Sequence, residues 1–494
     1  MNLFKKVLCY STLIVPIAVS ASELPQATSK WYKDADAMMR RVMAKAPNLN
    51  KAKNVILMVS DGAGVTSVTA TRIFEGQKFG KSGEGHELPY EQFPYLALSK
   101  TYNTNAQTAD SAGTAAAMVT GVKTRQGVVG VDENLERTDC NGVPRHALPS
   151  IHHMAQDRGY ATGVVSTARV THATPSSVYS STADRNYEDN SKLPKDCTGQ
   201  KDIAAQLIDS SLDLAMGGGR RHFIPKFNTD QEGKSGKRTD GKDLIDAWKK
   251  AGGQYAWDDK THASLDLRGS KILGLYESSH MKYEHDRTGE PSLAEMTRTA
   301  IEFLSARSEK GFFLMVEAGR VDHANHANNA HRMITDGVAF ADAVRIADEM
   351  TDDAETLIVV TADHSHVLTL AGYTKLGSPI LGLCYQLDKK GNPTDELCIA
   401  ADGKPYTTIG YANGSSSVLK KDENGNYTSN GRPTLTQEQV LDPDYVQEAL
   451  IPRSSETHGG EDVAIYARGP WAHLFQGTVE QNYIFHVMKQ AFQF

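Results

Sequence analysis

Short, continuous apolar runs alternate along the chain with longer amphipathic stretches. Val55–Val59, Ala161–Val165, Phe312–Val316, Leu357–Val360 and Val463–Ala467 are rich in Val, Ile and Leu and bounded by turn residues. Runs of this kind read as strands buried on both faces, as parallel pairing requires. Ala112–Val119, Leu293–Ala306 and Arg332–Met350 carry helical periodicity between them. The alternation predicts an α/β fold: a mainly parallel central β-sheet flanked by helices.

Two regions break the alternation. Residues 228–242 are rich in Gly, Lys and Asp and read as a long surface loop. Residues 370–455 carry many Gly, Asn, Ser and Pro and read as an inserted smaller irregular or β subdomain. No internal repeat interrupts the pattern. At the start, Lys5 and Lys6 precede an apolar run from Val7 to Val19, followed by Ser20, Ala21 and Ser22. Residues 1–21 therefore read as a secretory signal peptide, and 22–494 as the α/β domain.

Composition narrows the function. Hydrophobic residues make up 39% and charged residues 23% of the chain, an ordinary globular balance that excludes disorder. The net charge of −7 argues against a nucleic-acid-binding module. No later stretch reaches ~18 uninterrupted apolar residues, which excludes a multispanning membrane protein. Once the signal peptide takes Cys9 away, Cys140, Cys197, Cys384 and Cys398 remain. An even count in an exported chain favours two disulfides, and of the three pairings the local ones, Cys140–Cys197 and Cys384–Cys398, are expected. None of these cysteines has the C-x-x-C spacing of a zinc site.

The strand ends carry the chemistry. The first run ends in Asp61-Gly62, the third in Glu317 followed by Asp322, His323 and His326, and the fourth in Asp363-His364-Ser365-His366. Sites in open α/β sheets form beyond the carboxyl ends of strands. A single such Asp is usually a turn residue or helix cap. Three endings, two of them bearing His, are harder to dismiss. Carboxylates crowded at one edge repel, and divalent metal resolves that cost. Asp322 and His326, at i and i+4, face one ion from one helical turn, and His458 before the last strand is a third ligand candidate. His323, His331 and His366 lie nearby without needing to bind.

Thr108-Ala109-Asp110-Ser111 leads into the Ala112–Val119 helix. Ser111 is thereby placed at a helix N-terminus, where free N–H groups favour an anion. The plain alternative is that Asp110 or Ser111 is only an N-cap. No G-x-S-x-G elbow surrounds Ser111, so an esterase is disfavoured and a metal, rather than a histidine, is expected to activate it.

The segments NVILMVSDG (54–62), TADSAGTAAAM (108–118), ARVTHATPSSVYSS (168–181), MGGGRRHFIP (216–225), FFLMVEAGRVDHANHANNA (312–330), VVTADHSHV (359–367) and ETHGGEDVAIYARGP (456–470) resemble the alkaline phosphatase family, in family order. The resemblance implies phosphomonoester hydrolysis through a phosphoserine at a site of two zinc ions and one magnesium. It assigns Asp322, His326 and His458 to one zinc. The second takes Asp363 and His364, with Asp61 shared with magnesium and Ser111 as nucleophile on that zinc. Glu317 and Thr174 complete the magnesium's protein ligands, and Arg185, thirteen positions after His172, is the phosphate clamp.

Thr108 stands where the family usually has Val or Ile. His172 replaces the acidic residue of the enteric bacterial type near magnesium, a feature shared with animal and marine bacterial members. Tyr276, Glu277 and Glu290 resemble part of the calcium site of animal members, with an acid in the 225–235 loop left unplaced. The resemblance also implies a homodimer joined through the 370–455 region. The signal peptide, with no lipid-anchor signal at Gln-Ala-Phe-Gln-Phe, points to a periplasmic or secreted enzyme without a membrane anchor. A phosphodiesterase or sulfatase of the same superfamily, and a secreted metal- or phosphate-binding protein without turnover, are the alternatives.

Overall fold

The computed structural model describes residues 24–428 and 431–494, so the predicted signal peptide lies outside the described residues. The chain divides into a unit up to Ala46, which contains the helix Lys30–Met43, and a unit from Pro47 to Phe494. The larger unit is organised on a ten-stranded sheet.

In chain order the strands are β1 (Asn54–Ser60), β2 (Tyr95–Lys100), β3 (Ala161–Arg169), β4 (Leu214–Gly218), β5 (Gln254–Ala256), β6 (Ile272–Leu275), β7 (Phe312–Ala318) and β8 (Thr356–Thr361), followed by Val463–Arg468 and Thr478–Glu480. Across the sheet the order is Thr478–Glu480, β2, Val463–Arg468, β8, β1, β7, β3, β4, β6, β5. β1 sits centrally, pairing in parallel with β7 and β8. Every residue of β1, β7 and β8 is buried, which is why they read as unbroken apolar runs.

One expectation is corrected. Val463–Arg468 is a sheet strand, but it runs antiparallel to both β2 and β8. Burial on both faces gives the same apolar run in either direction. Its reversed direction leaves its amino end, and the segment before it, at the edge where the parallel strands finish.

Alternate side chains of the central strands enter two cores. Ile56, Met58, Leu314 and Val316 pack with Met296 of the helix Leu293–Arg307 and with Met333 and Phe340 of the helix Ala330–Glu349. Val55, Leu57, Val59, Phe313 and Met315 pack on the other face with Met118 of the helix Ser111–Thr120 and Phe485 of the helix Tyr483–Phe492. The Leu293 helix starts at a capping box, in which Ser292 Oγ accepts from Glu295 N at 3.1 Å and Ser292 N donates to Glu295 Oε2 at 2.7 Å.

Beyond β8 the chain forms small sheets: Leu368–Leu370 with Ile409–Gly414 and Ala449–Pro452, and the hairpins Tyr385–Leu387/Pro393–Leu397 and Lys420–Lys421/Tyr427–Thr428. Cys140–Cys197 and Cys384–Cys398 are disulfides, with Cα–Cα distances of 5.6 and 5.2 Å. The 228–242 loop is tied down from beneath. Arg220, fully buried, grips Asp230 at 3.0 Å and also holds Glu232; buried Arg238 makes two bonds to Asp202 at 2.8 and 3.0 Å. No helix among the described residues is long and apolar enough to cross a membrane.

Candidate active site

The carboxyl ends of β1, β7, β8 and β3 deliver side chains to one edge. Asp61 follows β1, Glu317 lies near the end of β7, Asp363 and His364 follow β8, and His172 and Thr174 follow β3. Asp322 and His326 project from the helix Arg320–His326 that leaves β7. His458 arrives by a short antiparallel ladder in which it pairs with His366. Gly62 makes the turn after β1 with φ of +73°, and a Cβ there would sit 2.4 Å from His366 Cδ2, so only glycine serves.

Asp322 Oδ1 lies 3.4 Å from His326 Nε2, 3.3 Å from His458 Nε2 and 2.7 Å from His366 Nε2. The tautomers are set from behind. His326 Nδ1 donates to the Glu456 carbonyl and His458 Nδ1 to the Ala109 carbonyl, both at 2.7 Å. Both Nε2 lone pairs therefore point inward, 3.1 Å apart. Two facing acceptors repel unless a cation lies between them, so this donor set fits zinc.

The second group is Asp61, Asp363 and His364, fully buried and with ligand atoms in mutual reach. His364 Nε2 is 3.2 Å from Asp363 Oδ2, 3.5 Å from Asp61 Oδ1 and 3.0 Å from Ser111 Oγ. The third combines Asp61, Glu317 and His172. Here both Asp61 oxygens, Glu317 Oε1, Thr174 Oγ1 and His172 Nδ1 are buried without a hydrogen-bond partner. Glu317 Oε2 accepts from Ser166 Oγ. Buried oxygens left unpaired are costly, and oxygens in this pattern fit a hard divalent ion such as magnesium.

The electrostatics agree with that fit. Burial, with Asp363, Asp322 and Glu317 close by, pushes Asp61 well above the usual carboxylate range. Burial raises Glu317 to about 7 and also raises Asp363. Burial works against ionised Asp322 too, but His326, His366 and His458 hold it well below its ordinary value. Desolvation, with Arg185 and Arg169 close by, holds His172 well below its ordinary value.

Ser111 is the first residue of its helix, and Asp110 is the N-cap, accepting from Gly113 N at 3.2 Å. Asn103 Nδ2 at 3.0 Å and Gly127 N at 3.1 Å also donate to Asp110. Arg185 Nη1 donates to Asp110 Oδ2 at 3.0 Å, which sets the guanidinium beside the N-terminus of the Ser111 helix.

Sequence reasoning set His366 aside and did not single out Glu456 or Asn103. His366 bridges Asp322 and Glu456, with Nδ1 2.6 Å from Glu456 Oε2. Only its place in Asp363-His364-Ser365-His366 hinted at this. The acids of the calcium expectation lie near one another in part, with Glu277 beside Glu290. Asp230 and Glu232 pair with Arg220, Glu277 Oε1 lies 3.5 Å from Lys282 Nζ, and Glu290 Oε1 accepts from Lys282 N at 2.7 Å. Glu290 Oε2 is buried without a hydrogen-bond partner, and these acids form no convergent ligand group among the described residues.

A family model described as alkaline phosphatase matches residues 52–494. The tissue-nonspecific alkaline phosphatase of Gallus gallus is 42% identical, over 96% of this chain and 91% of that protein. The alkaline phosphatase of Gadus morhua is 42% identical over 90% of this chain and 92% of its own. Among solved structures, alkaline phosphatase from the Antarctic bacterium TAB5 superposes with a TM-score of 0.61 at 26% identity, covering 90% of this chain and 99% of that one. The Thermus thermophilus enzyme shares the fold with a TM-score of 0.64 at 22% identity, covering 92% and 93%. The match spans the sheet, the Ser111 helix and every strand end that carries a candidate ligand, and the chain belongs to the alkaline phosphatase family.

Proposed function

We propose that the chain hydrolyses phosphate monoesters to an alcohol and inorganic phosphate through a covalent phosphoserine on Ser111. One zinc would be held by Asp322, His326 and His458, and a second by Asp363, His364 and Asp61 with Ser111 beside it. Magnesium would be held by Asp61, Thr174 and Glu317, with His172 next to it. A variant of the TAB5 enzyme, 25% identical to this chain, carries magnesium in its M3 site. When bound, such ions supply Lewis-acid charge that favours an ionised hydroxyl and offsets developing negative charge.

The chain's own residues do the rest. Ser111 Oγ attacks phosphorus, the ester bond breaks, and the leaving oxygen departs as the alcohol. Water then attacks phosphoserine, releasing phosphate and restoring Ser111. Arg185 grips two phosphate oxygens, and the free N–H groups of the Ser111 helix receive another. A transition state with charge spread over phosphate oxygens needs this positioning more than it needs side-chain acids.

The observation that carries this reading is Asp61: fully buried, with both oxygens unpartnered, between the group at Ser111 and the group at Glu317. A second reading has His364 act as general base on Ser111 without metal, favoured by their 3.0 Å contact. Initial rates on an aryl phosphate monoester and its diester, before and after chelation and restoration with zinc and magnesium, separate the readings. Monoester preference lost and regained with metal supports the first. Turnover that survives chelation supports the second, and diester preference moves the chain to a sister activity.

We further propose export to the periplasm or medium, supported by the two disulfides. Residues 370–455 are proposed as an inserted subdomain that meets a second copy. Tyr373, Leu376, Ile399, Leu450 and Ile451 are exposed there.

A further inference from the structure

Arg185 is held where three segments of chain are tied together, and the reaction above leaves one of them without a role. In the first segment, Gly127 N donates to both Asp110 oxygens at 3.1 Å, and the Arg185 amide donates to the Gly127 carbonyl at 2.9 Å. Gly127 thus links both members of the Arg185–Asp110 pair. Two residues on, Val129 N donates to the Thr182 carbonyl at 3.0 Å, and Thr182 N returns the bond to Val129 at 2.9 Å. The remaining segment brings Arg137. Its Nε donates to Asp184 Oδ2 at 2.9 Å and its Nη2 to Asp184 Oδ1 at 3.1 Å. Thr138 N donates to the Ala183 carbonyl at 2.9 Å, and Thr138 holds a φ of +74° there, which β-branched residues rarely adopt.

Arg137 also covers Gly127. A Cβ on Gly127 would lie 2.5 Å from Arg137 Cζ, and Gly127 has a φ of +83°, so glycine is required where the guanidinium passes. Asp184 directly precedes Arg185 and is buried, while the Arg137 side chain is 41% exposed. An ion pair with so open a partner adds little stability. A bidentate guanidinium–carboxylate pair does fix position and orientation. The contact therefore acts on where the Asp184–Arg185 backbone sits, and through it on where the Arg185 guanidinium is presented.

We propose that Arg137 is a positioning residue for phosphate binding. By clasping Asp184 and lying against Gly127, it holds Arg185 on Asp110 in the pose that grips phosphate. The proposal rests on the reading of Arg185 as the phosphate clamp.

The test uses the metal-loaded enzyme. The inhibition constant of inorganic phosphate, KM and kcat on 4-nitrophenyl phosphate, and the melting temperature are measured for the wild type, Arg137→Ala, Arg185→Ala and the double variant. Arg137→Ala should raise KM and the phosphate constant about threefold to tenfold, the loss of one modest contact. Its kcat should stay within about twofold, as for a loss of binding alone. Its melting temperature should fall by no more than about two degrees. In the Arg185→Ala background, removing Arg137 should move the phosphate constant by less than about twofold, because the two residues act as one unit. Arg137→Lys keeps the charge without the fork and should show the same shift in smaller degree; it carries the test if the alanine variant does not fold. Calorimetric binding of inorganic phosphate gives the same comparison without turnover. Equal losses in both backgrounds would place the effect outside Arg185 and overturn the proposal. So would an unaltered phosphate constant, or a lowered kcat at constant KM. If Arg185→Ala itself leaves phosphate binding unaltered, the clamp reading falls and the proposal with it. An effect of Arg185→Ala with none of Arg137→Ala removes the proposal alone.

Discussion

Arg185 and Asp110 form a part-buried ion pair, Nη1 to Oδ2 at 3.0 Å, and Asp110 immediately precedes the candidate nucleophile. Asp110 is thus both the cap of the Ser111 helix and the anchor of Arg185, the proposed clamp. Burial opposes its charge, but Arg185 and the Gly113 and Gly127 amides hold Asp110 below its ordinary value. Arg185→Ala should weaken competitive inhibition by inorganic phosphate about ten- to hundredfold, the loss expected for a charge-assisted contact. Unaltered phosphate inhibition would remove Arg185 from the clamp role.

Ser111→Ala should leave the helix in place, because the cap belongs to Asp110 and alanine suits a helix's first turn. Turnover should fall at least about a thousandfold, as for other lost nucleophiles. Elemental analysis should find the zinc content unchanged. A variant retaining most of its turnover would transfer the nucleophile role elsewhere.

Removing the metals should change how stability depends on pH. In the metal-free chain Asp61 and Asp363 are raised and Glu317 is raised to about 7. The folded state then holds protons that the unfolded state has released. Stability from Glu317 is present below about pH 4 and is lost as pH rises through about 7, at about 1.4 kcal/mol per pH unit, and raised Asp61 and Asp363 act in the same direction. The melting temperature of the chelated protein should therefore fall between pH 5 and pH 8, more steeply than that of the metal-loaded protein. Identical slopes for the two forms would show that the carboxylate cluster is not the metal site.

Much of this edge was legible in the chain because its strands are buried on both faces. Val55–Val59, Phe312–Val316 and Leu357–Val360 stand out as apolar runs, and the polar residues that end them are the ones aimed at the site. The remaining strands hide for physical reasons. β2 exposes Leu96 and Leu98, β4 ends in glycines, and β5 has three residues. The direction of Val463–Arg468 was not legible, since a doubly buried strand looks alike either way. Glu456 was silent because it acts on His366, distant in sequence, and Asn103 because it reaches Asp110 only through the turn between them.

Asp336 offers a stability test away from the metals. It is buried on the helix Ala330–Glu349, and its Oδ2 accepts from Glu284 N at 3.1 Å. Burial raises it to about 8; Arg320 draws it down, while Glu284 and Asp286 push it up. Its contribution is therefore present below about pH 4 and lost as pH rises through about 8. Asp336→Asn keeps an oxygen for Glu284 N and has no charge to bury. At pH 5, where Asp336 is protonated, the variant and the parent should melt within about a degree or two of each other. At pH 9 the parent carries a buried carboxylate and the variant should melt a few degrees higher. Glu290, raised to about 7 by burial in the same pocket, still titrates in the variant, so a smaller decline with pH should persist there. A variant destabilised equally at both pH values would show that Asp336 is ionised when folded and supports the helix as an anion facing Arg320.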